Sequence, residues 1–406
     1  MGKVAMLVTN GYGPDWRVQK EAHTLALAGH RVTVIAWDRT QLYAPHQIEP
    51  TPDVLRAAMD GWQWAAKCPP EPVSIVRIGV SAGYRTGRPL LRTMPRFWLR
   101  ALNELRRIRP DIVHAHDLDT VPVAYLYAQR AGIPVIYDAH EYYAGMVRDN
   151  LGSGLAALLD RMDGWYSPRV TAMLAMSERL VKRHRDMGAK VWLVSNSQPL
   201  VDRAVLVEKG AARRQQWHIP NDALLLVYVG YLNPDRLLSV ILEAVPRRDN
   251  VWLVIGGDGP QRAQVEAAAS ACPRIKYVGW VPQHEVAETV AAGDVVYYGL
   301  NAAIENVNYS LSNLALFALS TGRPILTTPV GEVADVVERE DCGVVMAASS
   351  TDAAEHALQQ FEDAACRARW SARAVYLGET KYHWRMAADQ LMAAYASAIE
   401  KKHVQF

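Results

Sequence analysis

Cysteine is scarce: Cys68, Cys272, Cys342 and Cys366 are the four thiols in 406 residues, with no CxxC or Cys/His ligand spacing among them. That argues against a disulfide framework or a common zinc module, and points to free thiols in a reducing compartment. Long apolar runs are missing too. The longest, such as Ala223–Val229, are strand-sized and fall far short of the ~18 residues of a spanning helix. Charge of one sign is not in excess, since the formal net charge is +2, so no global field marks a nucleic acid as partner. The opening MGKVAMLVTN carries too short an apolar stretch for a signal peptide, and Met6 stands where a myristoylation motif needs Ser or Thr. The expectation is a cytoplasmic protein. Phenylalanine is the last scarcity, with 4 residues, and Phe317 is one of them.

The remainder is ordinary soluble composition, at 50% hydrophobic and 21% charged residues, long enough for two or three domains. Val4–Val8, the turn Thr9–Pro14, a helical pattern over Arg17–Ala28 and the run Arg31–Trp37 make a βαβ unit, which requires a parallel sheet. The Gly11-x-Gly13 turn lacks a third glycine at the dinucleotide spacing, so a tight turn and a close approach to ligand stay equally open at Gly13. Residues 41 to 72 read as an irregular, proline-rich excursion, and Val73–Ile78 resumes the sheet. A basic segment follows, in which Arg88, Arg92, Arg96 and Arg100 recur every four residues, with Arg106, Arg107 and Arg109 beyond and Phe97, Trp98 and Leu99 interleaved. It is either a solvated helix face interrupted by Pro95 or, through Arg88–Arg109, a peripheral contact with an anionic membrane surface.

Two polar clusters follow strands: His114-Ala115-His116-Asp117-Leu118-Asp119 and Asp138-Ala139-His140-Glu141. Open α/β sheets place their sites just there, past the carboxyl ends of strands. Asp117-x-Asp119 looks like a metal-binding DxD, but its place between a strand and a helix favours helix capping, and no H-E-x-x-H spacing supports zinc; no metal is expected. After a polar linker near Ser195–Pro199 the strand-and-helix pattern restarts at Leu224–Val229. The expected fold class is α/β, two Rossmann-like doubly wound domains facing across a cleft, over residues 1–197 and 198–375, with a helical segment 376–406 available to pack back on the N-terminal domain. Within the second domain, Asn306–Pro329 reads as loop, helix, Gly turn and buried strand. Ser310 and Ser312 suit its cap, and Leu311, Leu314, Ala315, Ala318 and Leu319 form one apolar stripe, leaving Asn313, Phe317 and Ser320 on the other side.

In order and spacing these residues resemble the GT-B glycosyltransferases, specifically the retaining group called family 4 (glycosyl transferases group 1). The resemblance rests on Pro14-Asp15-Trp16-Arg17, Gly29-His30, Asp111–Asp117 and Tyr137–Glu141, then Val229–Leu232, Gly257-Asp258-Gly259-Pro260, Val278–Pro282, Tyr309–Asn313 and Gly322–Ile325. It implies a nucleotide-sugar donor, such as a UDP- or GDP-sugar, in the C-terminal domain. The N-terminal domain would take a carbohydrate, lipid-linked or small-molecule acceptor, and no cofactor or nucleic acid is implied. The implied catalytic residues are His116, at the transferred sugar, with Asp138 and Glu141 toward the acceptor. The implied donor contacts are Gly13, Gly230, Tyr231, Arg236, Gly257, Asp258, Trp280, Val281, Ser310, Leu311, Ser312, Asn313 and Phe317. Trp280 would either stack on the base or pack in the core.

Without a metal, the charge on a departing sugar diphosphate has to be met by side chains and by N–H groups at a helix start. Two positions depart from the family. Tyr231 replaces one of two expected cations, the other being Arg236, and Phe317 occupies the place of the donor-binding glutamate, with Tyr309 at the earlier acidic position. Charged hydrogen bonds are worth roughly 1.5–3 kcal/mol each, so losing a pair to the ribose would weaken donor binding ~10²-fold or more. A catalytically impaired binding or assembly protein, or a sugar-nucleotide epimerase, therefore stands beside the transferase reading.

Overall fold

The computed structural model describes residues 2–13, 15–82 and 87–404, without the side chains of 87–91, 149–151 and 401–404. Pro14, the Arg88 side chain and the Lys401-Lys402-His403 side chains therefore lie outside the described residues. The chain divides into two compact units, 1–195 with 385–406, and 196–384.

The first unit is built on eight strands: β1 Lys3–Val8, β2 Arg31–Asp38, β3 His46–Glu49, β4 Val73–Gly79, β5 Ile112–His116, β6 Val135–Ala139, β7 Ala172–Ala175 and β8 Val191–Leu193. Their order is β3-β4-β2-β1-β5-β6-β7-β8, all parallel except β3, which runs antiparallel along β4. The second unit orders β9 Leu224–Val229, β10 Val251–Gly256, β11 Ile275–Tyr277, β12 Val295–Tyr298, β13 Ile325–Thr327 and β14 Gly343–Val345 as β11-β10-β9-β12-β13-β14, wholly parallel. Both are doubly wound sheets whose strands are near-continuous Val, Ile, Leu and Ala runs, as burial on both faces demands. The strand order reverses at β1/β5 in the first unit and at β9/β12 in the second, and the carboxyl ends there are where such folds bind ligands.

Three expectations change. Residues 41–72 are not wholly irregular, because β3 and the helix Asp53–Ala58 form within them, β3 by pairing along β4. The helix Gly87–Ile108 runs through Pro95. Fully buried Phe97, Ala101 and Leu105 hold it on the sheet, Phe97 stacking on Trp37 at 4.9 Å. Trp98 turns inward as well, its Nε1–H donating to the Asp119 carbonyl at 2.8 Å, so of the interleaved aromatic and apolar residues only Leu99 is exposed beside Arg92, Arg96 and Arg100. No described helix is long and apolar enough to cross a membrane.

The third change is the helix Asn313–Thr321. Ser312 caps it as expected, accepting from the Leu314 N–H at 3.0 Å, and Gly322 ends it with φ 71°. Of the three residues expected on its other side, Asn313 is exposed and Ser320 half-buried, but Phe317, 7% exposed, is buried with Leu314 to Leu319 and belongs to the core of the second unit. A second helix, Ala364–Thr380, packs against it so closely that a Cβ at Gly378 would lie 2.4 Å from the Leu319 carbonyl oxygen.

Candidate active site

In the first unit the reversal point is occupied by a buried polar cluster. His114 and His116 lie two apart on β5, so they share one face of the strand, and their rings stack at 4.3 Å. His116 is in register with Asp138 on β6. The chain then turns sharply at Asp117, whose φ of 60° is uncommon outside glycine but tolerated by Asp, and whose N–H donates to the Asp138 carbonyl at 2.9 Å. Arg17 and Glu21, one turn apart on the helix Trp16–Leu27, complete the group from above.

Asp138 is the hub. Its carboxylate accepts from Arg17 Nε and Nη2 at 2.9 and 2.6 Å and from His140 Nε2 at 2.8 Å, and it lies 3.2 Å from His116 Nδ1. Burial alone would raise its pKa, but the Arg17 and His140 charges outweigh that and hold it well below the usual carboxylate range. His140 lies between two carboxylates, with Nδ1 3.4 Å from Asp117, and despite burial their charges raise its pKa to about 10. Burial keeps His116 and His114 neutral. His116 Nδ1 lies 3.1 Å from His140 Nε2 as well as 3.2 Å from Asp138, while its Nε2 is buried with no hydrogen-bond partner. Burial, with Asp138 nearby, raises Glu21 to about 8, so it is held as the neutral acid.

Among the described residues one group has metal-ligand chemistry: Glu21, His114, His116 and Asp138 bring donor atoms within 4.8 Å of one another. The fit to a divalent ion is poor. The Arg17 guanidinium already sits 3.2 Å from Glu21 and 2.6 Å from Asp138, supplying the positive charge from inside the cluster.

Of the implied catalytic residues, His116, Asp138 and Glu141 are thus brought to one sheet end, with Asp138 fully buried and Glu141 half-buried. Arg17 and His114 stand in motifs the sequence displays but are given no site role by it, and Glu21 and Tyr395, whose hydroxyl lies 2.9 Å from His114 Nδ1, are not singled out by it. The available signal was a charged i,i+4 pair on a helix whose other residues pack against the sheet. Gly11 and Gly13 have a local reason: added Cβ atoms would meet the Tyr43 ring at 2.8 and 2.9 Å, and the Tyr43 hydroxyl donates to the Gly13 carbonyl.

In the second unit the loops after β9, β10 and β11 are stacked through glycine. A Cβ at Gly257, where φ is 139°, would lie 1.8 Å from the Gly230 carbonyl oxygen. Gly230 and Gly257 donate to Gly256 and Gly279, and Leu232 donates to the Asp258 carbonyl. Val281 is buried against Gly256. Tyr231 is exposed, and Trp280 is 71% exposed, which overturns the core-packing reading of that residue. Arg236 stands at the reversal point, in a 3₁₀ turn Pro234–Arg236 after β9, with its guanidinium 5.1 Å from the Tyr298 ring at the end of β12. The Asn301 N–H bonds to the Asp235 carbonyl and ties the two loops together. The next element after β12 is the 3₁₀ turn Glu305–Tyr309, leading through half-buried Ser310, buried Leu311 and Ser312 to the helix start at Asn313. One cation and one helix N-terminus therefore sit on the two loops that flank the switch point. Such a pairing has the chemistry to meet an anionic ligand, although Arg236 Nε also lies 3.6 Å from Asp235.

Comparison with known proteins agrees with this geometry. Residues 12–196 match the model of the glycosyl transferase 4-like domain, and residues 223–363 match that of glycosyl transferases group 1. A D-inositol 3-phosphate glycosyltransferase from Stackebrandtia nassauensis is 26% identical over 319 residues, spanning 72% of this chain and 70% of that protein. In fold, the chain is similar to sucrose-phosphate synthase from Thermosynechococcus elongatus, with a TM-score of 0.77 at 14% identity, covering 99% and 100% of the two chains. It is also similar to Anabaena HepE, solved in complex with UDP and glucose, with a TM-score of 0.68 at 13% identity, covering 98% and 100%.

Proposed function

This chain belongs to the GT-B glycosyltransferases that carry a 4-like domain followed by a group 1 domain, and we propose that it moves a sugar from a nucleotide-sugar donor to an acceptor hydroxyl with retention and without a metal. The observation that carries the proposal is the second unit's switch point, where Arg236 and the Ser312-capped helix start flank one strand end. A departing diphosphate develops negative charge, and a guanidinium with oriented N–H groups meets it without reorganisation. A UDP- or GDP-sugar fits this chemistry, and the exposed Trp280 supplies a face on which a base stacks. In the first unit His116 stands at the transferred sugar. Asp138 acts through it, holding the ring at Nδ1 and leaving Nε2 without a hydrogen-bond partner, and Glu141 serves the acceptor side.

Tyr231 in place of a cation and Phe317 in place of a carboxylate favour a second reading, a donor-binding protein of low turnover. One experiment serves both. Incubation with a panel of nucleotide sugars and acceptors, with and without chelator, is expected to show transfer with retention that the chelator leaves intact. Absence of both transfer and donor hydrolysis, with nucleotide diphosphates still binding at micromolar Kd, selects the second reading. A strict metal requirement overturns the charge argument.

A further inference from the structure

The first unit holds a cavity of about 260 Å³ beside the β1 loop, walled by Tyr12, Asp15, Gln19, Gln47, Glu49 and Arg77 with Tyr43 at its mouth. The volume suits one six-membered ring. Its chemistry is unlike that of the diphosphate site. Among the described residues Arg77 is the one cation in the wall, and its guanidinium is already turned onto main-chain carbonyls, with Nε to Gly11 at 2.8 Å, Nη1 to Ala44 at 3.0 Å and Nη2 to Tyr12 at 3.3 Å. Everything else polar in the wall is a carboxylate, an amide or a phenol. Glu49 takes the Gln19 amide and faces His23 Nε2 at 3.4 Å. Burial alone would raise its pKa, but these contacts outweigh it and keep the group ionised. Asp15 takes Asn10 Nδ2 at 2.7 Å and caps the helix Trp16–Leu27 through the Val18 N–H, and it is near enough to His116 for its charge to be felt there. The Tyr12 hydroxyl, on a side chain 6% exposed, is buried in this wall next to Glu49, and burial together with the Glu49 charge and hydrogen bond raises its pKa.

We propose that this cavity is an acceptor subsite for an uncharged, hydroxyl-rich ring, and that it rejects phosphorylated and carboxylated rings. The proposal rests on the reading of the first unit as the acceptor domain. Ring hydroxyls donate to Asp15, Glu49 and the two glutamine carbonyls. A phosphate or carboxylate brings only acceptors and a negative charge, and would face two carboxylates with no cation free among the described wall residues to fork onto it.

The test is equilibrium binding to the full chain, followed by NMR saturation transfer, with myo-inositol and methyl α-glucoside against glucose 6-phosphate and glucuronate. The neutral rings are expected to bind at least about tenfold more tightly. Gln47→Arg, an exposed edge-strand change that adds an unshared cation to the wall, should shrink that preference about tenfold. Three results overturn the proposal: anionic rings binding as well as neutral ones to the unaltered chain, a preference that Gln47→Arg leaves unchanged, or no binding of either neutral ring at concentrations on the order of 10 mM. Titrating a nucleotide diphosphate into the same samples keeps the two readings apart. Loss of that binding alone counts against the transferase reading, and loss of the neutral-ring preference alone counts against this one.

Discussion

Arg17 is 4% exposed, and a guanidinium survives such burial only when its charge and its N–H groups are all answered. Asp138 takes two of them, the Val194 carbonyl takes a third at 2.7 Å, and Glu21 lies 3.2 Å away. Arg17→Met therefore leaves Asp138 buried with His140 as its remaining cation. Breaking a buried pair in this way costs about 3–5 kcal/mol, a large share of the roughly 5–15 kcal/mol that holds a domain together. Urea unfolding should show that loss, and a loss under about 1 kcal/mol would mean that His140 alone neutralises Asp138. The cluster was half legible. His116, Asp138 and Glu141 stand in strand-end motifs that a sequence displays openly. Arg17 and Glu21 reach the same place from a helix about 100 residues earlier, and only the closure of the sheet brings them there. Phe317 was legible as unusual but not as buried, because the core it joins is assembled from strands and helices far along the chain.

At the scale of elements, the strands were the easiest part to read, because burial on both faces demands short β-branched runs that little else in a sequence imitates. The loops that make the donor site were legible as glycine motifs but not as a stack. Two of those glycines separate backbone strain from contact. Gly279 has φ 73° with nothing within 4 Å of an added Cβ, so Gly279→Ala meets left-handed strain alone, about 1–2 kcal/mol. Gly257 combines φ 139° with the Gly230 carbonyl 1.8 Å from the new Cβ, and backbone, unlike a side chain, has no rotamer into which it can retreat. Gly257→Ala should destabilise the second unit by at least twice as much as Gly279→Ala and weaken nucleotide binding with it. Thermal melts with and without nucleotide diphosphate measure both, and equal effects from the two variants would refute the stacked-loop account.

At the scale of the molecule, two doubly wound units were legible because the strand-and-helix pattern restarts, whereas the strand orders, and hence the two reversal points, follow from pairing that no local pattern encodes. The units differ in how they carry charge, and that difference has a measurable consequence. In the second unit, no described group with a shifted pKa titrates between pH 6.5 and 9: Glu340 is lowered below the ordinary glutamate value, Cys342 is pushed up to about 12, and the shifted arginines and Lys381 lie higher. In the first unit, Glu21 keeps its proton to about 8 and His140 to about 10, where the unfolded chain releases them near 4.5 and 6.5. Each makes the folded state bind more protons than the unfolded one, so each makes stability fall as pH rises toward its folded pKa. Buried Lys20 opposes them, its pKa lowered well below 10.5, and returns stability as pH rises. Asp117, raised to about 7 by burial, adds to the loss. His30, His114, His116 and His184, all lowered by burial, return stability mainly below pH 7, so the first unit loses stability from pH 7 to 8. From 8 to 9, His140 and Lys20 work against each other and the profile flattens, and nearer 10 Tyr12, Tyr137, Tyr143 and Tyr395, all raised by burial, make it fall again. Calorimetric melts across this range should show one transition that moves to lower temperature between pH 7 and 8 while the other stays in place. Glu21→Gln, which removes one of the three proton-holding groups, should level that segment, and a slope unchanged in the variant would show that the proton resides elsewhere in the cluster.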